Sequence, residues 1–178
     1  GSSLILDTSA GSVSGGMNGI QAFNFGTGAF SITTANVTGI DGSGIIAEND
    51  GAFLNIDTSA GSVSASDIGI FANNNNGSLS ITTADVNSDT SSIVANNLAG
   101  SISLSIDTVA GMVTSDFIGI NADNDGSGAL SITTGNVTSA NSAGVVANNS
   151  AAGTSLTVDS SAGSISSNFS GIAANNAG

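Results

Sequence analysis

The chain has no Lys, Arg, His, Cys, Pro, Trp or Tyr, and each absence narrows what it can do. Without Lys or Arg, no side chain can neutralise the phosphates of nucleic acid or bind an anionic membrane surface by charge. Without His, Cys, Lys, Arg or Tyr, the usual bases, nucleophiles and oxyanion ligands of enzymes are missing. No stretch is apolar enough for a transmembrane helix. We therefore expect no nucleic-acid partner, no membrane insertion and no enzymatic activity.

Carboxylates are the only charged side chains, and apolar residues are plentiful. The formal net charge is −13, charged residues make up 7% of the chain, and hydrophobic residues make up 39%. Acidic disordered segments are poor in Val, Ile, Leu and Phe, whereas here such residues recur at regular intervals. We therefore expect a folded chain, kept soluble by its negative surface.

One five-residue motif recurs seven times along the chain: an aliphatic residue, any residue, Ala, any residue and Asn. The motif asparagines are 25, 25, 23, 27, 25 and 27 residues apart: Asn24, Asn49, Asn74, Asn97, Asn124, Asn149 and Asn176. A fixed period of this size is the signature of a solenoid. Residues 1–178 are therefore expected to form a single β-solenoid repeat array, whose uniformity favours a scaffold or a binding surface.

Each repeat contains three short segments that are typical of strands. In the first, apolar and polar residues alternate, as in Leu79-Ser-Ile81-Thr-Thr83, which predicts a strand with one buried face. The second surrounds one aliphatic residue, such as Val86, and the third is the Ala-x-Asn motif. Gly and Ser corners separate the segments. The predicted fold is all-β: a parallel β-helix (β-solenoid) of about seven coils of about 25 residues, with three short strands per coil.

Two kinds of coil alternate. Short coils read Ile-Thr-Thr-x-x-Val, as in Ile32 to Val37, and long coils read Ile-Asp-Thr-x-x-Gly-x-Val, as in Ile56 to Val63. The sequence unit is therefore a pair of coils, about 50 residues long. If every coil carried the Asp, carboxylates would stack about 4.8 Å apart and repel one another. Alternation with Thr doubles that separation, although duplication of a coil pair would produce the same pattern.

The motif asparagines are expected to stack as a ladder in which amides of successive coils form hydrogen bonds. The alternative is that each Asn is merely a corner residue with a left-handed backbone. Both interpretations are structural. The inward threonines are expected to form a similar ladder: Thr34, Thr58, Thr83, Thr108 and Thr134.

Two strings resemble repeats of bacterial autotransporter passenger domains: Gly19-Ile20-Gln21-Ala22-Phe23-Asn24 and Gly69-Ile70-Phe71-Ala72-Asn73-Asn74. Each of them leads into a Leu-x-Ile or Phe-x-Ile strand. The resemblance covers essentially the whole chain. It implies a right-handed β-helix, export to the bacterial cell surface, and an adhesive, spacer or fibre role. The chain has no translocator barrel, linker helix or protease triad of that family.

Two features of the exterior, one apolar and one acidic, are candidates for function. Ile46, Phe71 and Val94 follow the motif aliphatic residue on successive coils, and they predict an outward apolar stripe for lateral bundling or adhesion. Simple strand propensity is the alternative explanation. Glu48, Asp50, Asp123 and Asp125 concentrate oxygen ligands beside Gly turns and are weak calcium candidates, with solvated acidic turns as the alternative. No other cofactor is expected.

Outward hydroxyls, such as those of Ser31 and Thr33, would suit ice binding, but Asn55 and Asp57 interrupt the rows.

The first and last coils look like ordinary repeats without polar caps. The array is therefore either a segment of a longer β-helix or a subunit that stacks end to end. We expect an extracellular structural or adhesive solenoid, forming a surface fibre or an adhesin stalk. The alternative is an adhesin module that binds a receptor, a glycan, calcium or, less favoured, ice.

Overall fold

A computed structural model describes residues 1–178 and contains seventeen β-strands. No helix in the fold could cross a membrane. The strands, numbered in chain order, are β1 Leu4–Thr8, β2 Val13–Gly15, β3 Ile20–Asn24, β4 Phe30–Thr34, β5 Val37–Gly39, β6 Ile45–Asn49, β7 Phe53–Ala65, β8 Ile70–Asn74, β9 Gly77–Ser88, β10 Ile93–Asn97, β11 Ser101–Ser115, β12 Ile120–Asn124, β13 Leu130–Ser139, β14 Val145–Asn149, β15 Leu156–Asp159, β16 Ile165–Ser167 and β17 Ile172–Asn176.

The strands form two parallel sheets. The seven-stranded sheet has the order β17-β14-β12-β10-β8-β6-β3, one strand from each coil. The ten-stranded sheet runs β1-β4-β7-β9-β11-β13-β15, with β2, β5 and β16 joined to it by further pairing. The fold is therefore an all-β parallel solenoid of seven coils, as the repeat predicts. We number the coils 1 to 7 along the chain; coil 1 contains β1 to β3 and coil 7 contains β15 to β17.

The three segments predicted for every coil remain separate strands only in coils 1, 2 and 7. In coils 3 to 6 the first two segments merge into the longer strands β7, β9, β11 and β13. Backbone pairing continues around the bend there, and a register shift between Thr58 and Ser62 absorbs the extra residues of the long coil. The prediction of three short strands in each coil is thus wrong for the central coils, because the corner itself is hydrogen-bonded.

The interior is a single apolar column in which like residues stack on like. Ile56 pairs in register with Ile32 on one side and with Ile81 on the other. Twenty-six buried residues form one core cluster. Strands β4, β6 and β8 alternate strictly between buried and half-exposed positions, which is the pattern that the period-two alternation predicts. Burial of this apolar column is the main stabilising term of the fold.

In coils 3, 5 and 7, which are long coils, the corner is capped by a side chain of the preceding short coil. Asn36 Oδ1 accepts a hydrogen bond from the Ser62 amide at 3.0 Å, and Asp85 Oδ1 accepts one from the Met112 amide at 2.8 Å. Asn136 does the same for the Ser164 amide at 3.0 Å. These side chains satisfy backbone donors that the register shift leaves without a ladder partner.

Close axial stacking explains two of the glycines. Gly77 has a φ of +72°, the only positive φ in the chain, and a Cβ there would lie 1.4 Å from the Ala52 carbonyl oxygen. At Gly44 a Cβ would lie 2.4 Å from Cγ1 of Val63 in the next coil. Gly44 is therefore required by the spacing between coils, whereas Gly77 is required by its own backbone conformation as well.

Candidate functional site

The motif asparagines form an unbroken ladder of side-chain hydrogen bonds along the seven-stranded sheet. Each Nδ2 donates to Oδ1 of the Asn in the next coil at 2.7 to 2.9 Å, in six successive steps from Asn24 to Asn176. Every bond points in the same direction along the axis. The first six members are buried, because the amides line the interior beside the core cluster.

Further contacts anchor the ladder to the backbone. Asn49 Oδ1 also accepts the Gly51 amide at 3.0 Å, and Asn49 Nδ2 also donates to the Gly51 carbonyl at 3.3 Å. No residue other than Gly has a positive φ, so the alternative of an Asn in a left-handed corner is wrong. The amide side chain supplies both a donor and an acceptor, so each motif Asn can bond to the Asn of a neighbouring coil.

The inward threonines form pairs and not a continuous ladder. Thr8 Oγ1 donates to Thr34 Oγ1 at 2.7 Å. Thr58 and Thr83 are hydrogen-bonded at 2.6 Å, and Thr108 and Thr134 at 2.8 Å. The expectation of a continuous threonine ladder is therefore wrong. Each pair joins a long coil to the short coil that follows it, and its two threonines are in register. Between a short coil and the next long coil, the strand pairing ends one residue before the threonines.

The outward acidic row follows the predicted alternation. Thr82 lies in register between Asp57 and Asp107, so no two of these carboxylates are on adjacent strands. Each Asp accepts the amide of the residue two positions later, for example Ser9 on Asp7 and Ser161 on Asp159, at 3.0 and 2.9 Å.

Two of these carboxyls have a perturbed pKa. The Ser9 hydroxyl and then the Ser9 amide hold the pKa of Asp7 below its ordinary value. The Ser161 amide and then its hydroxyl lower the pKa of Asp159. The cause is the same in both, since hydrogen bonds to the charged form favour that form.

The apolar stripe residues are adjacent on the outer face of the seven-stranded sheet. Phe71 pairs in register with Ile46 on β6 and with Val94 on β10. All three are half-buried by their strand neighbours. The row ends at Gln21 on one side and at Asn121 on the other. The structure thus brings these three residues together as one short strip.

The calcium candidates lie in two separate pairs. Glu48 and Asp50 are on coil 2, whereas Asp123 and Asp125 are on coil 5, with β8 and β10 between their strands. The Asp123 carboxylate accepts hydrogen bonds from Asn148 Nδ2 at 2.7 Å and from Asn121 Nδ2 at 3.4 Å. Asp50 accepts one from Asn75 Nδ2. No group of three or more acidic side chains able to hold a metal ion occurs in the structure.

An exposed aromatic pair lies outside the sequence predictions. The rings of Phe23 and Phe25 are stacked, with centroids 6.1 Å apart and planes within 5°. Both rings are exposed, Phe25 more than Phe23. Their i, i+2 spacing is the one that places two side chains on the same face of an extended strand. The surface has no pocket, so every candidate site is a face or a ridge.

Both axial ends of the solenoid present open strands. On coil 1, Leu4, Leu6 and Val13 are only partly buried against the core. On coil 7, Ile172 is 43% exposed, although its equivalents in the central coils are fully buried.

Neither a family model, nor a curated protein, nor a solved structure matches this chain. The resemblance to autotransporter repeats stays a prediction.

Proposed function

We propose that this chain is a structural β-solenoid rod of an extracellular or bacterial surface protein, acting as a fibre unit or as an adhesin stalk. The observation that carries the proposal is the unbroken asparagine ladder, in which six bonds of one direction join all seven coils. Such a ladder serves axial cohesion, and a rod depends on axial cohesion.

The open ends favour extension along the axis. Partly buried core residues and unpaired strand edges at coils 1 and 7 are the surfaces that another coil would cover. We propose that further coils cover them, in the same polypeptide or in a second copy. The rod we propose is right-handed, the hand that parallel crossover connections strongly favour. Seven coils at about 4.8 Å each give a length of about 34 Å.

The surface chemistry suits an exposed rod. The net charge of −13 resists non-specific aggregation of neighbouring rods. Because there is no Lys or Arg, trypsin-like proteases have no cleavage site in the chain. These properties agree with an extracellular location, as does the resemblance to autotransporter passenger repeats.

Solution scattering and cryo-electron microscopy of the purified chain, with and without a chelator, would test the rod. We expect particles of uniform width that are stiff and insensitive to the chelator. Labelling intact source cells with an antibody against the chain tests the location, and we expect signal without permeabilisation. Flexible or compact particles would contradict the rod, and labelling only after permeabilisation would contradict the surface location.

The second candidate is an adhesin module that binds its target through the stripe of Ile46, Phe71 and Val94. It is favoured by the register that makes these three residues adjacent on one outer face. Lateral bundling of rods would use the same strip. Binding to a glycan array and to host-cell extracts should then be lost when all three are replaced by Ser. A matched control replaces Asn55, Ser80 and Ser105 on the other sheet by Ala, and it should bind as the unmodified chain does.

A further inference from the structure

One corner of the solenoid departs from the repeat. In the long coils 1, 3 and 7, the corner between the first two segments has two serines: Ser9 and Ser12, Ser59 and Ser62, and Ser161 and Ser164. Coil 5 has Val109 and Met112 at these positions, and they are 44% and 49% exposed. The coil before it caps this corner with Asp85, whereas the other two caps are Asn36 and Asn136. Three departures from the repeat therefore lie together on one corner.

The fold does not use what these three side chains add. Neither Val109 nor Met112 belongs to the core cluster or packs against it. Asp85 Oδ1 accepts the Met112 amide at 2.8 Å, and the uncharged Asn36 accepts the equivalent amide of coil 3 at 3.0 Å. The charge of Asp85 is therefore not needed for the cap. Met112 also lacks the hydroxyl with which Ser62 donates a second bond to its cap, at 3.2 Å.

The same departures leave two exposed carboxylates with open acceptor sites. Asp57 Oδ1 accepts both the amide and the hydroxyl of Ser59, at 3.0 and 2.6 Å. Asp107 accepts only the Val109 amide, at 3.0 Å, because valine has no hydroxyl. Asp85 likewise accepts only one bond within the chain. Since an ionised carboxylate has about four lone-pair sites, both groups can accept further bonds from a ligand.

We propose that the coil-5 corner, formed by Asp85, Asp107, Val109 and Met112, is a docking site for a basic amphipathic segment of a partner protein. Apolar side chains of that segment cover Val109 and Met112, while neighbouring Lys or Arg side chains pair with the two carboxylates. Charge selects this partner, because the chain has a net charge of −13 and no Lys or Arg with which to bind an acidic segment.

The coil-5 corner is a different surface from the apolar stripe. The stripe of Ile46, Phe71 and Val94 lies on the seven-stranded sheet, whereas Val109 and Met112 lie within β11 of the ten-stranded sheet. The corner occurs once in seven coils, so it would hold one partner at one position along the axis. The inference goes beyond the proposed structural role and does not depend on it.

The first test is NMR titration of the chain with a hexapeptide of alternating Arg and Leu, blocked at both ends. We expect saturable shifts of the Val109 and Met112 methyl signals, which weaken as salt is added because the charges are exposed. Two control peptides separate the contributions. Alternating Arg and Ser removes the apolar contact, and alternating Gln and Leu removes the charge. Each should bind at least about tenfold more weakly than the Arg–Leu peptide.

The repeat supplies matched variants of the chain. Asp85→Asn, Val109→Ser and Met112→Ser together restore the residues that coils 2 and 3 already use. This triple variant should fold as stably as the unmodified chain and bind the Arg–Leu peptide at least about tenfold more weakly. Asp41→Asn removes a charge from coil 2, at a different corner, and should not change binding.

A transfer variant tests whether these residues are sufficient. Asn36→Asp, Ser59→Val and Ser62→Met together copy the coil-5 corner onto coil 3, where Asp57 already occupies the position of Asp107. We expect this variant to bind a second peptide, with new shifts confined to coil 3. A single site in the transfer variant would show that the named residues do not make the site.

Three further results would overturn the proposal. They are no binding of the Arg–Leu peptide, equal binding by the triple variant, and equal binding of the Arg–Ser peptide. Weaker binding by Asp41→Asn would also contradict it, because the peptide would then respond to the net charge of the chain and not to this corner. The shape of the particles in scattering is independent of all these results, so the proposed rod is tested separately.

Discussion

Asn49 donates from Nδ2 to Oδ1 of Asn74, 25 residues later in the chain, at 2.7 Å, and both side chains are buried. Asn74 in turn donates to Asn97 at 2.9 Å. A buried amide is costly unless its donors and acceptor are satisfied, and here each coil satisfies the one before it. The ladder therefore makes each of coils 2 to 6 dependent on its two neighbours for the stability of its interior.

Replacing Asn74 by Ala should destabilise the solenoid by about 1 to 3 kcal/mol, because Asn49 loses its acceptor and Asn97 loses its donor in a buried position. The matched control is Asn73→Ala on the same strand. Asn73 points outward and accepts only one bond, from Asn96 Nδ2 at 2.7 Å. Urea unfolding followed by circular dichroism measures both. Equal losses for the two variants would show that the buried ladder has no special role.

The threonine pair between Thr58 and Thr83 predicts an asymmetric double-mutant cycle. Thr83→Val leaves the buried Thr58 hydroxyl without a partner, whereas after Thr58→Val the Thr83 hydroxyl keeps the Ala84 carbonyl at 3.4 Å. We expect Thr83→Val to cost about 1 to 2 kcal/mol and Thr58→Val less. The double variant should be less destabilised than the sum of the two, since no hydroxyl is then unpaired. Additive losses in urea unfolding would contradict the pairing.

The period of the repeat predicted the coil number and the register because both follow from which residues recur. Ile32, Ile56 and Ile81 had to stack if the coils were parallel, and the strands pair in that way. The acidic alternation around Thr82 was predictable for the same reason. These properties depend on sequence distance alone.

Other features depend on local geometry that sequence distance does not encode. The pattern could not show that β7 continues through the corner at Ser59 to Gly61, because bulge capping by Asn36 depends on where a side chain of another coil points. Nor could it show that Thr34 bonds to Thr8 and makes no side-chain bond to Thr58, since both are inward threonines at similar spacing.

The acidic row predicts a penalty for adding one more carboxylate. Thr82→Asp places a charge between Asp57 and Asp107 on adjacent strands, and it should destabilise the fold by about 1 kcal/mol at low salt. Ser80→Asp adds the same charge to the same strand, but its in-register neighbours are Asn55 and Ser105. It should cost less. The difference should shrink in about 1 M salt, where charges are screened within about 3 Å. A salt-independent difference would point to packing and not to repulsion.

The serine contacts of Asp7 and Asp159 predict how these two carboxyls respond to pH. The pKa of both is lowered from an ordinary 3.8, so each favours the folded state when ionised. That contribution is present above the ordinary value and is lost as the pH falls through the lowered pKa.

The Ser9 hydroxyl donates to Asp7 at 2.6 Å and is the larger cause there, whereas the Ser161 amide is the larger cause at Asp159. We therefore expect Ser9→Ala to raise the pKa of Asp7 more than Ser161→Ala raises that of Asp159, because alanine removes the hydroxyl and keeps the amide. Carbon-detected NMR titration of the carboxyl groups measures both shifts, and equal or absent shifts would contradict the assigned causes.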